Sequence, residues 1–116
     1  MWIYDHLGNK ARFSLGWLPP ENPRPFVCFG INPSTASPEK LDPTVASVAR
    51  YSEEHGYGGW LMFNVYAQRA TNPDHMHRRM VKELHRQNIH HIQRLLEQYS
   101  EHDALDIWCA WGTLIE

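Results

Sequence analysis

Apolar residues in this chain fall into short unbroken runs, separated by proline- and glycine-rich turns and by two amphipathic stretches. Phe26-Val27-Cys28-Phe29-Gly30-Ile31 is continuously apolar and short, as a strand covered on both faces is. Trp60-Leu61-Met62-Phe63-Asn64-Val65-Tyr66-Ala67 and Asp106-Ile107-Trp108-Cys109-Ala110-Trp111-Gly112 read the same way. Between the first two runs, Asp42 and Pro43 predict an N-cap and a first helical turn. Val45, Val48, Ala49 and Ser52 give that helix one small apolar face until Gly56 stops it, so it covers about 43–55. Between the second and third runs, Val81, Leu84, Ile89, Ile92, Leu95, Leu96 and Tyr99 recur at three- and four-residue steps. They predict an amphipathic helix over roughly 80–99, with Asn88 interrupting its inner side.

Strand, helix, strand, helix, strand means a parallel sheet with right-handed crossovers. Helices on opposite faces give the core order 2-1-3, with the first strand in the middle. Ahead of this core, Trp2-Ile3-Tyr4 and Ala11-Arg12-Phe13-Ser14-Leu15 flank a Gly8-Asn9 turn and predict a β-hairpin, read as an edge decoration. Leu18 to Pro25 holds four prolines and reads as a connecting loop. The predicted fold class is therefore three-layer α/β with a short parallel sheet. One domain is expected, with hairpin and proline-rich loop over 1–25 and core over 26–112. The third strand is apolar and lies at an edge, so another chain, the hairpin or a further C-terminal segment is expected to cover it.

Composition narrows the class. With 116 residues, 42% hydrophobic and 21% charged, the chain is an ordinary globular domain, and no apolar run reaches the roughly 20 residues of a membrane span. The N-terminus lacks a secretion signal, so a cytoplasmic protein is expected, with no membrane partner. Cys28 and Cys109 both sit mid-strand and read as small buried hydrophobes. A net charge of -2 does not resemble a protein held on DNA by phosphate contacts, although six basic and two acidic residues between Arg69 and Arg94 leave one positive stretch. The histidines at 75, 77, 85, 90 and 91 lack metal-ligand spacing, and P-loop, dinucleotide and nucleophile-elbow motifs are absent. No metal or cofactor is expected.

Candidate chemistry collects at the carboxyl ends of the predicted strands, where open α/β sheets bind ligands. Asn32, Pro33, Ser34 and Thr35 leave the first strand, Asn64 and Tyr66 end the second, and Trp111 and Gly112 end the third. A carboxamide offers a donor pair and an acceptor, which suits the edge of a nucleobase, and Tyr66 and Trp111 offer stacking faces. Asn32 and Asn64 capping their own turns is the alternative. Asp42 is either an N-cap or a carboxylate acting on a water, and Asn88 either satisfies a buried backbone group or reaches the first loop. Arg69, before Thr71-Asn72-Pro73, is either a phosphate contact or part of a solvated turn.

Phe29-Gly30-Ile31-Asn32-Pro33-Ser34-Thr35-Ala36, Asp42-Pro43-Thr44, Gly56-Tyr57-Gly58-Gly59, Asn64 through Pro73 and Ala110-Trp111-Gly112 together resemble the DUF1643 family of bacterial and phage proteins. More distantly, Gly30-Ile31-Asn32-Pro33, Leu61-Met62-Phe63-Asn64 and Ala110-Trp111-Gly112 are similar, in the same order, to segments of the uracil-DNA glycosylase superfamily. That resemblance implies a glycosylase-like fold, with Asn32 positioning an attacking water and Asn64 reading a base. Ser34 stands where the glycosylases have a glycine, and their H-P-S-type loop is expected to follow a further strand, so a fold of this kind without its C-terminal part is the expectation. The leading expectation is a domain binding a nucleobase, nucleotide or single-stranded nucleic acid, with N-glycosidic hydrolysis as the implied reaction. A non-catalytic interaction module or truncated remnant, self-associating through its third-strand edge as a homodimer, is the second. An enzyme on a small phosphorylated metabolite, held by Arg69, Ser34 and Thr35, is the third.

Overall fold

A computed structural model describes residues 1–8, 10–21, 23–31, 33, 36–68, 78–99 and 105–109. In chain order the elements are β1 (Trp2–Leu7), β2 (Ala11–Trp17), β3 (Phe26–Gly30), α1 (Pro43–Glu54), β4 (Trp60–Asn64), α2 (Arg78–Tyr99) and β5 (Ile107–Cys109). They form one mixed sheet in the order β1-β2-β4-β3-β5. β3 pairs in parallel with both β4 and β5, so the three core strands stand in the 2-1-3 order that the alternation of elements predicts.

Each core element forms for a local reason. The side chain of Asp42 accepts a hydrogen bond from the Val45 amide at 2.8 Å, and Pro43 follows where a missing N–H costs nothing. Val45, Val48 and Ser52 are buried on one face of α1, against Cys28, Trp60 and Met62. On the other side of the sheet, Val27, Leu61 and Phe63 meet Ile92, Leu95, Leu96 and Tyr99 of α2. β3 and β4 are therefore apolar on both faces because a helix covers each face. Ile89, counted in the α2 stripe, is exposed instead. At the entry to β4, Gly59 takes φ +97°, and a Cβ there would run into the Trp17 carbonyl oxygen, so only glycine fits.

The hairpin is more than a decoration. β2 pairs antiparallel with β4 and lies inside the sheet, buried from Ala11 to Gly16. It closes the β4 side and leaves β5 at the opposite edge, where Ile107, Trp108 and Cys109 are exposed. Cys109 is thus not the buried hydrophobe its mid-run position predicts, because β5 has a neighbour on one side only among the described residues.

A β-bulge interrupts the hairpin: Asp5 pairs with Ser14 and His6 with Arg12, which leaves Phe13 without an opposite residue. The extra residue changes which face the start of β2 presents. Phe13 stacks on His91 of α2, whereas Arg12 turns to the α1 side and donates from Nη1 to the Ala36 carbonyl at 3.0 Å. Strict alternation from Leu15, which packs on the α1 side, would have sent Arg12 to the α2 face.

Candidate functional site

The carboxyl ends of β3 and β4 stay joined past the strands themselves. The Val65 amide donates to the Gly30 carbonyl and the Tyr66 amide to the Ile31 carbonyl, both at 2.9 Å. Asn64 is the last residue of β4, and alternation from Met62 turns its side chain to the α1 face. It is 1% exposed, and neither its Nδ2 nor its Oδ1 has a hydrogen-bond partner among the described residues. Leaving a buried amide unpaired costs roughly 1–3 kcal/mol, so such a group calls for an explanation.

Gly30 makes room for it. A Cβ on Gly30 would lie 2.7 Å from Asn64 Oδ1 and 3.0 Å from the Met62 Cε. The carboxamide therefore rests against the bare backbone of the central strand. From the other face, Asn88 of α2 donates Nδ2 to the Asn64 main-chain carbonyl at 2.8 Å, with the Val65 carbonyl 3.4 Å away. Of its two expected roles, Asn88 fills the backbone-satisfying one. Its own Oδ1 is also buried without a partner among the described residues.

Asp42 serves as the α1 N-cap through Oδ1. Pro33 is buried, and Tyr66 is exposed beside the strand ends. Asn32, Ser34, Thr35, Arg69, Trp111 and Gly112 lie outside the described residues. Of the predicted site, the described residues thus bring together Asn64 and Asn88, at the loop stem that Gly30 forms.

Two contributors escaped the sequence reading. Gly30 appeared only as a motif letter, and its part in seating the carboxamide needs the β3–β4 register. Arg12 is 1% exposed, and its guanidinium bonds to the loop that follows β3. The only hint in the sequence is a charged residue within a run otherwise apolar or small, Ala11 to Leu15.

The chemistry nearby is that of amides rather than thiols. Burial, with Cys109 adding a smaller push, raises the Cys28 thiol to about 11, so it carries no useful thiolate near neutral pH.

Residues 12–116 match the family described as protein of unknown function (DUF1643). The chain belongs to the DUF1643 family. No curated protein and no solved structure matches it. Within the DUF1643 match lie Arg12, Gly30, Pro33, Asn64, Tyr66 and Asn88 of the carboxyl edge, whereas β1 lies ahead of it. Among the described residues of this DUF1643 chain, no helix is long and apolar enough to cross a membrane.

Proposed function

We propose that this DUF1643 protein binds a nucleobase or nucleotide at the carboxyl ends of its parallel strands, with the Asn64 carboxamide reading the base edge. One observation carries the reading: a fully buried amide at the carboxyl end of β4, beside the central strand β3, with neither its donor nor its acceptor paired among the described residues. A base edge that presents an acceptor beside a donor satisfies both at once. Tyr66, exposed at the same edge, supplies a stacking face.

The resemblance of three ordered segments to uracil-DNA glycosylases extends the proposal to a glycosylase-like fold and to N-glycosidic hydrolysis. In that reaction Asn32 orients a water that attacks the sugar carbon, Asn64 holds the departing base, and Tyr66 or Trp111 stacks on it. Equilibrium binding of free bases, nucleosides and uracil-containing single strands to the full chain tests the binding claim. Saturable binding lost in Asn64→Ala supports it, and silence across that panel removes it. Release of free base from a uracil-containing strand, lost in Asn32→Ala, tests the hydrolytic one.

The exposed edge strand favours a second reading. Ile107 is 51% and Trp108 48% exposed on β5, whose outer side pairs with no other described strand. A second copy joined there makes the chain an interaction module. A stable dimer in solution without affinity for bases favours this reading, and a monomer that binds a base counts against it.

A further inference from the structure

On the α2 side of the sheet, a small polar cluster ties the hairpin to the helix. The Ser14 hydroxyl donates to Asp5 Oδ2 at 2.6 Å, and the same oxygen lies 3.8 Å from His91 Nδ1. The His91 ring stacks on Phe13, with centroids 4.8 Å apart and planes at 18°. Its Nδ1 is buried and has no hydrogen-bond partner among the described residues. His91 also lines a groove of about 340 Å³, with Arg86, Gln87 and His90.

His91 and Asn88 are three residues apart on α2, hence neighbours on one helix face. The bond from Asn88 to the Asn64 carbonyl, at 2.8 Å, is already at its optimum length. A displacement of this turn of α2 therefore reaches the end of β4 directly.

We propose that His91 is a proton-sensitive latch between the hairpin and α2, and that its protonation is transmitted through Asn88 to the main chain of Asn64. Its bearing on ligand binding rests on the reading given above; the coupling itself does not. When neutral, the ring is held by stacking on Phe13, and Asp5 is satisfied by Ser14. When protonated, the ring takes one proton from solvent and offers an N–H toward the Asp5 carboxylate. A charge-assisted bond needs roughly 2.8 Å, against the 3.8 Å present, so closing the gap draws the ring, and in the proposed latch its turn of α2, about 1 Å toward β1. Asn88 then loses its optimal length to the Asn64 carbonyl.

The groups facing the ring set the balance. Burial of the ring weighs most, against the charge; Asp5 from β1 favours the charged form, and Ser14 from β2 competes with the ring for the same Asp5 oxygen. Arg94 and His90 from α2 also oppose the charge, and the net effect holds the imidazole below its ordinary value.

Proton–nitrogen correlation spectra of the full chain, taken without ligand between about pH 5 and 8, test the latch across the ordinary histidine range. The Asn88 side-chain amide and the Val65 main-chain amide are expected to shift with the same midpoint as the His91 ring. That shift disappears in His91→Gln, and Asp5→Asn moves the His91 midpoint down. Flat Asn88 and Val65 signals while the ring titrates, or shifts that persist in His91→Gln, overturn the proposal. Should His91→Gln fail to fold, the Asp5→Asn arm decides: an unmoved midpoint overturns it. Coupling observed in a chain that binds no base would remove the proposed function and leave the latch standing.

Discussion

The two ends of the parallel strands treat their polar groups in opposite ways. At the amino ends, bonds close: Ser52 donates to the Gly59 carbonyl at 2.7 Å, and the Phe26 amide donates to the same oxygen at 3.0 Å. Arg24 and Gly58 exchange two main-chain bonds there, and the Tyr57 hydroxyl reaches Asp106. At the carboxyl ends, Asn64 and Asn88 keep buried amide atoms with no partner among the described residues. One end is built for stability, whereas the other holds hydrogen-bonding capacity in reserve. Native proteins keep such groups where a ligand or water completes them.

Glycine substitutions give the sharpest contrast. Gly59→Ala at the amino end places a Cβ against the Trp17 carbonyl, on rigid main chain, at a positive φ. Urea denaturation should show a loss of about 3 kcal/mol or more, from backbone strain and overpacking together. Gly30→Ala at the carboxyl end meets the Asn64 carboxamide and the Met62 methyl instead, both movable side-chain ends. Its stability cost should be smaller, about 1–2 kcal/mol, while base binding falls below detection because the reading amide is pushed aside. Equal losses of stability in the two variants would erase the distinction between the ends.

Hydrogen-bond deletions sharpen the same comparison with smaller effects. Ser52→Ala removes one of two donors to the Gly59 carbonyl and should cost about 1 kcal/mol. Asn64→Leu keeps the branching of the side chain and removes two unpaired polar atoms, so stability should hold or rise by about 1 kcal/mol while binding is lost. A residue that merely stabilised its own turn would show the reverse. A drop of more than about 1 kcal/mol in Asn64→Leu, read from the same denaturation midpoints, contradicts the reserve-capacity view.

What the sequence could convey divides along the range of the interactions. The α1 cap at Asp42 and Pro43, the two fully apolar strands and the 2-1-3 order rest on near neighbours or on crossover handedness, and all are legible in the chain. The place of β2 inside the sheet is not, because it depends on pairing with β4 more than forty residues away. The bulge at Phe13 is local to the hairpin, yet no residue type marks the extra position, so it is invisible too, and with it the burial of Arg12. A two-residue period read through Ala11 to Leu15 assigns the wrong face to every residue before the bulge. Cys109 misled in the opposite sense. An apolar run signals a strand, but its burial is settled by what lies beside it, and β5 lies at the edge. Asn64 could be picked out as a strand-end carboxamide, whereas its lack of partners is a property of packing against Gly30 and α2.

The smallest expected effect concerns the link between the hairpin and the helix. In the folded chain, burial first, then Arg94 and His90, hold His91 below its ordinary value, against the opposing pull of Asp5. The unfolded chain, with an unperturbed imidazole near 6.5, therefore takes up its proton at higher pH than the folded one. Stability is fully present above that value and declines as pH falls from about 6.5 toward the lower folded value. Below both values it levels off, because both states then carry the proton. Urea midpoints compared at about pH 7.5 and 5.5 should fall for the wild-type chain, and the fall should shrink in His91→Gln. In Asp5→Asn it should grow, since the one group favouring the charged ring is gone. A fall of the same size in all three chains would assign the pH dependence to other histidines and leave His91 a packing residue on Phe13.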